Sequence, residues 1–207
     1  MFFIFDNLAA TMIGIAVLFI LVLMQERVQR VSVEQVMMYA ANENMISFGQ
    51  WLEQDLVNVG WGVVGANGIT AFQQNDSIPN LTKTFSFDRR PDSTIVVPVN
   101  VQYQVVPALN SLGVQNFMNI NGTSVPLWQV QRIAPSAITG TNEITGESAP
   151  YVTHFRIALE NNFGEEVLVT SDAVQVSVQV AMAMPFGDEA RLSETHWGTT
   201  VGLSVAN

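Results

Sequence analysis

The sequence predicts an α+β protein in which a long N-terminal helix, half transmembrane and half amphipathic, packs on a largely antiparallel β-sheet domain. Three patterns predict this fold. Residues 8–24 are uncharged and mostly apolar, apolar residues then recur every seven positions up to residue 59, and polar and apolar residues alternate from residue 82 onward. These patterns are typical of a membrane anchor, an amphipathic helix and half-buried strands.

The apolar segment at residues 8–24 is predicted to be a retained membrane anchor. A secretory signal peptide carries positive charge ahead of its apolar core, whereas Asp6 precedes this segment and the first basic residue is Arg27. At ~1.5 Å per residue the segment is about 26 Å long, so with the phenylalanines before it the segment just spans a hydrocarbon core of roughly 30 Å. Arg27 and Arg30 favour a cytoplasmic C-terminal side, which argues against export.

The helix is predicted to continue beyond the anchor, because no proline occurs before Pro79 and the first cluster of glycines begins at Gly60. Residues 1–59 are therefore expected to form the helix and residues 66–207 the β-rich domain. The apolar stripe along this helix consists of Val31, Met38, Met45, Leu52 and Val59. Such a stripe favours packing against the chain's own sheet or against neighbouring copies. An ordinary amphipathic linker helix is the alternative interpretation.

Strands are predicted where apolar residues alternate with polar ones. The longest runs are STIVVPVNVQYQVV, YVTHFRIAL and AVQVSVQVAMAM, and shorter candidates are TKTFSF, VPLWQVQRI, EEVLVT and THWGTTVGLSV. The stretch LENNFGEE is typical of a hairpin connection. Residues 65–77 and 136–149 are rich in Gly, Asn, Ser and Thr and are expected to be loops.

The composition argues against several classes of function. The net charge is −10 and the chain holds one lysine, Lys83, so the basic surface of a nucleic-acid-binding protein is not expected. The chain has no cysteine, which excludes disulfides and thiolate chemistry. No nucleic acid partner and no cofactor are therefore expected.

No catalytic or metal-binding motif is recognisable in the sequence. His154 lies in an alternating run and His196 stands beside Trp197, but neither has a second ligand at a metal-site spacing. The acidic pairs at residues 165–166 and 188–189 do not fit a calcium-loop spacing. The chain is therefore expected not to be an enzyme and to hold no metal.

The N-terminal organisation resembles the type IV pilin and pseudopilin superfamily. In that family a Phe begins the mature chain and a Glu follows four residues later; here Phe2 and Asp6 have that spacing, with Asp in place of Glu. Gly14 lies in the anchor. The stretch GQWLEQDLVNVGWGV is similar to the end of the helix in W-type minor pilins and J-type pseudopilins, and the matching residues are Asp55, Gly60 and Trp61, with Arg132 in LWQVQRI matching a later strand.

The resemblance implies a structural subunit of an extracellular or envelope-spanning helical filament. Subunits would be anchored in the inner membrane before assembly and would associate as a homo-oligomer through their N-terminal helices, with Phe2, Asp6 and Gly14 at the assembly contacts. Asp6 would pair with the N-terminal amine of a neighbour, although an acid there also suits an N-cap. The alternatives are a minor tip pseudopilin of a secretion system and a single-pass anchored surface or periplasmic binding module.

Overall fold

The computed structural model describes most of the chain. The described residues are 2–63, 67–78, 81–90, 97–120, 123–136, 140–183 and 194–203, with backbone alone for residues 2–6 and 120. The chain divides into two compact units, Met1–Ala41 and Asn42–Asn207, and the boundary falls inside the helix. Each unit is therefore described by itself.

One helix and a series of strands follow one another along the chain. Helix α1 covers Phe2–Val57, and a 3-10 turn covers Thr170–Asp172. The strands in the described residues are β1 (Ile69–Gln74), β2 (Thr82–Arg89), β3 (Val99–Pro107), β4 (Phe117–Ile120), β5 (Thr123–Pro126), β6 (Trp128–Pro135), β7 (Asn142–Glu147), β8 (Val152–Glu160), β9 (Glu166–Val167), β10 (Gln175–Ala183) and β11 (Glu194–Gly202).

The predicted α+β class is confirmed, because one long N-terminal helix accompanies a large sheet whose strands pair antiparallel. The order of the sheet is β1-β2-β3-β6-β8-β10-β11, with β7 on β6 and β9 on β8. Strands β4 and β5 form a separate two-stranded sheet. The three long alternating runs correspond to β3, β8 and β10, and the hairpin predicted at LENNFGEE joins β8 to β9.

Two stretches expected to be loops contain strands, so the prediction for residues 65–77 and 136–149 is wrong in part. Strand β1 lies in the first and pairs with β2, and strand β7 lies in the second and pairs with β6. Both pairings contain register shifts, and most β7 side chains are exposed. A strand that buries few side chains needs no apolar alternation, which is why the sequence pattern does not reveal it.

The first unit is the N-terminal part of α1, and its described apolar side chains are exposed. Residues 7–33 are all exposed, and this includes Val31 of the predicted stripe; Met38 is exposed as well. Apart from its chain neighbours and the nearby helix backbone, no described atom lies within 4 Å of a Cβ placed on Gly14. Within the described residues, α1 is long and apolar enough to cross a membrane, judged by its length and composition.

The second unit has its hydrophobic core between the last turns of α1 and one face of the sheet. The helical segment contributes apolar residues three or four positions apart, as expected for one helix face. They are Met45, Phe48, Leu52 and Leu56, followed by Val59 just after the helix. The sheet contributes alternate residues of its strands, among them Phe85, Phe87, Val101, Tyr103, Val130, Phe155, Ile157, Val176, Val178 and Val180. Three residues of the predicted stripe, Met45, Leu52 and Val59, thus lie in this core.

The helix ends at Val57, two residues before the predicted end. The amide N–H groups of Asn58 and Val59 donate to the carbonyls of Asp55 and Leu56, both at 3.1 Å, so the last turn is tighter than an α-turn. Gly60 follows with φ of 70°, a left-handed conformation that ends many helices. The amide of Gly60 donates to the carbonyl of Asp88 in β2, which connects the end of the helix to the sheet.

Truncation of Leu52 tests the core contact of the helix. Leu52 is 0% exposed, whereas Val57 in the same helix is 56% exposed. We expect Leu52→Ala to lower the free energy of unfolding by about 2–5 kcal/mol, because a cavity replaces buried methyl groups. Val57→Ala is the control and should change it by less than about 0.5 kcal/mol. Chemical unfolding of the full chain in detergent, followed by tryptophan fluorescence, measures both, and equal losses would contradict the packing.

Candidate functional site

The candidate site is centred on the carboxylate of Asp55, near the end of α1. Asp55 shares the helix face of Leu52 and Leu56 and is 3% exposed. A buried carboxylate costs several kcal/mol unless it is hydrogen-bonded and paired with opposite charge. The position of Asp55 in the core therefore requires partners from the sheet.

Three strands supply those partners. Arg132 of β6 donates from Nε to Oδ2 at 2.5 Å and from Nη2 to Oδ1 at 3.2 Å. The hydroxyl of Tyr103 in β3 donates to Oδ2 at 2.6 Å, and Nη1 of Arg89 in β2 lies 3.2 Å from Oδ1. Both carboxylate oxygens are thus satisfied. We call Asp55, Arg89, Tyr103 and Arg132 the Asp55 network.

The alternation of the strands places these side chains under the helix. In β3 the inward residues are Val101, Tyr103 and Val105, and in β6 they are Val130, Arg132 and Ala134. Tyr103 and Arg132 are direct cross-strand partners in the β3–β6 pairing. Neighbouring residues on one sheet face are about 5 Å apart, so the phenol and the guanidinium reach the same carboxylate.

The other side of the Arg132 guanidinium is also occupied. Nη1 donates to Oγ1 of Thr145 in β7 at 2.6 Å, and the guanidinium carbon lies 5.7 Å from the centre of the Trp51 ring, a cation–π distance. Trp51 packs edge-on against Tyr103, with ring centres 6.0 Å apart. A Cβ on Gly146 in β7 would overlap the Trp51 indole, so a larger residue there would displace the ring.

Burial and charge shift the pKa values of two members of the network. Burial, together with the charge of Asp55 and the hydrogen bond to it, raises the pKa of Tyr103 well above its ordinary value of 10.0. For Arg132, burial lowers the pKa, but the hydrogen bonds and charge of Asp55 outweigh it and the net shift is upward. Tyr103 therefore remains a hydrogen-bond donor, and Arg132 remains a cation.

The chemistry of this arrangement is structural. The donors to Asp55 converge from fixed directions, so the carboxylate is satisfied at one rotation and one axial position of the helix. Buried ion pairs give little net stability, and fixing one arrangement among similar ones is their best-attested role. The network therefore sets the register of residues 42–57 on the sheet.

Both histidines of the chain lie on the sheet face opposite the core. His154 in β8 and His196 in β11 are each paired in register with Ala181 of β10, and they line an open groove of about 680 Å³. Nε2 of His196 lies 3.7 Å from Oε2 of Glu194. Among the described residues, no three His, Cys, Asp or Glu side chains form a group that could hold a metal ion.

The residues predicted for assembly and packing lie in different environments. The side chains of Phe2 and Asp6 are outside the described residues, and Gly14, Val31 and Met38 belong to the first unit. Met45, Leu52 and Val59 lie in the core of the second unit. The predicted assembly contacts of the first group remain predictions.

The family resemblance pointed to Asp55 and Arg132 separately but did not predict that they form an ion pair. The sequence did not identify Arg89, Tyr103 and Trp51 as residues of the site. A signal was present for the pair. Asp55 interrupts the apolar helix face formed by Leu52 and Leu56, and Arg132 occupies an inward position of an alternating strand. An acid and a base at inward positions of facing elements predict an ion pair.

In comparisons with known proteins, no protein-family model, curated protein or solved structure matches the chain. The fold and the helix define the class: an α+β protein with an apolar N-terminal helix that could serve as a membrane anchor.

Neutralising Asp55 tests the network. We expect Asp55→Asn to lower the free energy of unfolding by about 3–5 kcal/mol, because the buried guanidinium of Arg132 loses its counter-charge. Glu53→Gln, an exposed carboxylate in the same turn, is the control and should change it by less than about 0.5 kcal/mol. Denaturant titration of the full chain in detergent measures both. If the two variants lose equal stability, the network does not hold the helix.

The pH dependence of stability tests the environment of His154. Burial, with the charges of Arg156 and His196, lowers its pKa below the ordinary 6.5, although Glu194 opposes the shift. The unfolded chain therefore binds more protons than the folded chain as the pH falls through 6.5, so acidification lowers the free energy of unfolding. We expect His154→Gln to reduce the dependence of the free energy of unfolding on pH between about pH 7 and pH 5.

His196→Gln serves as the control for the pH experiment, because burial of His154 and the charge of Arg156 persist in it. The His196→Gln variant should retain part of the pH dependence of stability. Thermal denaturation across the pH range measures the slopes of the wild type and both variants. An unchanged slope in His154→Gln would show that another group accounts for the acid sensitivity.

Proposed function

We propose that the chain is a pilin-like structural subunit of an extracellular or envelope-spanning helical filament. In this proposal the subunit is held in the inner membrane by α1 before assembly and joins other copies through the same helix. The observation that carries the proposal is the exposure of the apolar side chains at residues 7–24, which water does not solvate favourably. Lipid would cover this surface before assembly, and the helices of neighbouring copies would cover it afterwards.

The Asp55 network supports a structural role for the second unit. In such a subunit, residues 42–57 would be held in one register on the sheet. The contacts of Asp55 with Arg132 and Tyr103 supply such a fixed register. Tyr103 and Arg132 are buried, and both donate to the carboxylate of Asp55.

Asp6 is the proposed register contact between subunits. An acid near the edge of the apolar segment would pair with the N-terminal amine of a neighbour inside a dry bundle of helices, where an unpaired carboxylate is costly. An N-cap role, the alternative for an acid at this position, does not fit α1, because the helix begins at Phe2 and Asp6 lies in its second turn. Substitution of Asp6 therefore tests the register role.

An anchored binding module is the second candidate, and one feature favours it. A groove of about 690 Å³ runs beside residues 44–51 of the helix and is lined by the aromatic residues Phe48, Trp51 and Tyr151. Aromatic side chains together with a few polar groups are typical of binding surfaces. The remaining alternative, a minor tip pseudopilin of a secretion system, would lie at the filament tip and would be present in trace amounts.

The test is the distribution of the chain between sheared filaments and membranes. Wild-type chain should be recovered largely as filaments, and Asp6→Asn should remain in the membrane at normal levels while filaments fall, because a broken buried ion pair costs about 3–5 kcal/mol. Asp6→Glu keeps the charge and should retain most assembly. Immunoblots of the two fractions give the ratio.

The outcomes separate the candidates. A ratio for Asp6→Asn equal to wild type would contradict the register role of Asp6. Trace recovery of the wild type in filaments made mostly of another protein would favour the tip subunit. Recovery in the membrane fraction alone would contradict the filament role and favour the anchored binding module.

A further inference from the structure

The edges of the large sheet differ in how well they are protected from pairing with another strand. Strand β1 has two register shifts along six residues, β7 has one shift, and β9 is two residues long. Bulges and short strands are common protections of sheet edges. Strand β11, at the other end of the sheet, has none of them: its nine residues pair with β10 without a shift.

Strand β11 also lacks the residues that usually protect an edge. Its sequence, ETHWGTTVG, contains no proline, lysine or arginine, and its acidic residue, Glu194, stands at one end. Burial alternates along the whole strand, so it is a regular strand with one face on the core. No strand in the described residues pairs with its outer edge. The N–H and C=O groups of that edge, which no described strand pairs with, match an extended chain.

We propose that β11 pairs antiparallel with β11 of a second copy of this chain, so that the two large sheets join into one. The geometry favours this occupant because an antiparallel edge is complementary to itself about a two-fold axis. Alignment of all nine residues puts the axis at Gly198 and sets His196 opposite Thr200 of the second copy. A shifted alignment would leave backbone groups unpaired.

The distribution of charge favours the antiparallel arrangement in a chain of net charge −10. Parallel pairing would put the two Glu194 carboxylates side by side, and like charges directly opposite are destabilising. Antiparallel pairing sets Glu194 opposite Gly202 and separates the carboxylates by about the length of the strand, roughly 27 Å at ~3.4 Å per residue. Most of the paired edge is then neutral.

The core face of β11 favours the same contact. Trp197 and Val201 pack against the core but remain half-buried, because no described strand lies beyond them. A second β11 would place its own inward residues next to these side chains and would cover them further. The contact thus buries apolar surface in addition to forming hydrogen bonds.

This dimer goes beyond the proposed function and does not depend on it. A two-fold contact is isologous, whereas the repeating contact within a helical filament is heterologous. The β11 contact would therefore join two membrane-held copies, or subunits of two neighbouring filaments. It can be measured on chain that forms no filament at all.

The absence of cysteine from the chain makes disulfide formation a clean test. Full-length chain carrying His196→Cys is mixed in membranes with full-length chain carrying Thr200→Cys, and the mixture is oxidised. Opposite residues of an antiparallel pair have Cβ atoms about 4.5–5.5 Å apart, close to disulfide range. We expect the mixed disulfide dimer to form at least about tenfold faster than either homodimer, since like positions would lie roughly 14 Å apart.

The matched control uses the exposed positions of the bulged edge, with Ala71→Cys mixed with Gln73→Cys in β1. It should give only slow dimer formation from random collisions. Near-UV circular dichroism checks that each variant is folded. The proposal is overturned if the β11 mixture forms no dimer, if its homodimers form as fast as the mixed dimer, or if the β1 control forms dimers at the same rate.

Discussion

A carboxylate buried in an apolar core needs hydrogen-bond donors and an opposite charge. The arrangement of the second unit depends on the groups that supply them to Asp55. Its side chain faces the sheet between Leu52 and Leu56, where water does not reach it. Arg132, Tyr103 and Arg89 come from three adjacent strands and provide the donors. The pairing of β2, β3 and β6 is therefore tied to the position of the helix, because a shift of either would leave buried charge unpaired.

The value of such a network is in specificity more than in net stability. The apolar face of the helix, with Met45, Phe48 and Leu52, would bury similar surface if it slid along the sheet by one turn. Burial of apolar area is non-directional and does not distinguish these arrangements strongly. Hydrogen bonds to Asp55 are directional and do distinguish them. The cation–π contact of Arg132 with Trp51 adds a second fixed point one turn earlier.

The second unit buries a charge, whereas the first unit exposes apolar surface. Its apolar side chains are exposed along residues 7–24, and exposed apolar surface costs roughly 25 cal/mol per Å² relative to burial. Lipid or other apolar helices relieve that cost, and both are consistent with a membrane anchor that later becomes an assembly core. At the outer edge of β11, which no described strand pairs with, backbone N–H and C=O groups are available to a second strand.

Much of this architecture is determined by the sequence alone, because it depends on periodicity. The apolar segment at residues 8–24, the helical spacing of Met45 and Leu52, and the alternation in β3, β8 and β10 each reflect the local geometry of one element. Strands β1 and β7 escaped prediction because they bury too few side chains to leave a pattern. The tertiary structure alone decided which strands adjoin, and hence that Tyr103 and Arg132 meet Asp55, residues 48 and 77 positions away. Local spacing carries no information about contacts at such separations, since these are set by strand order and register.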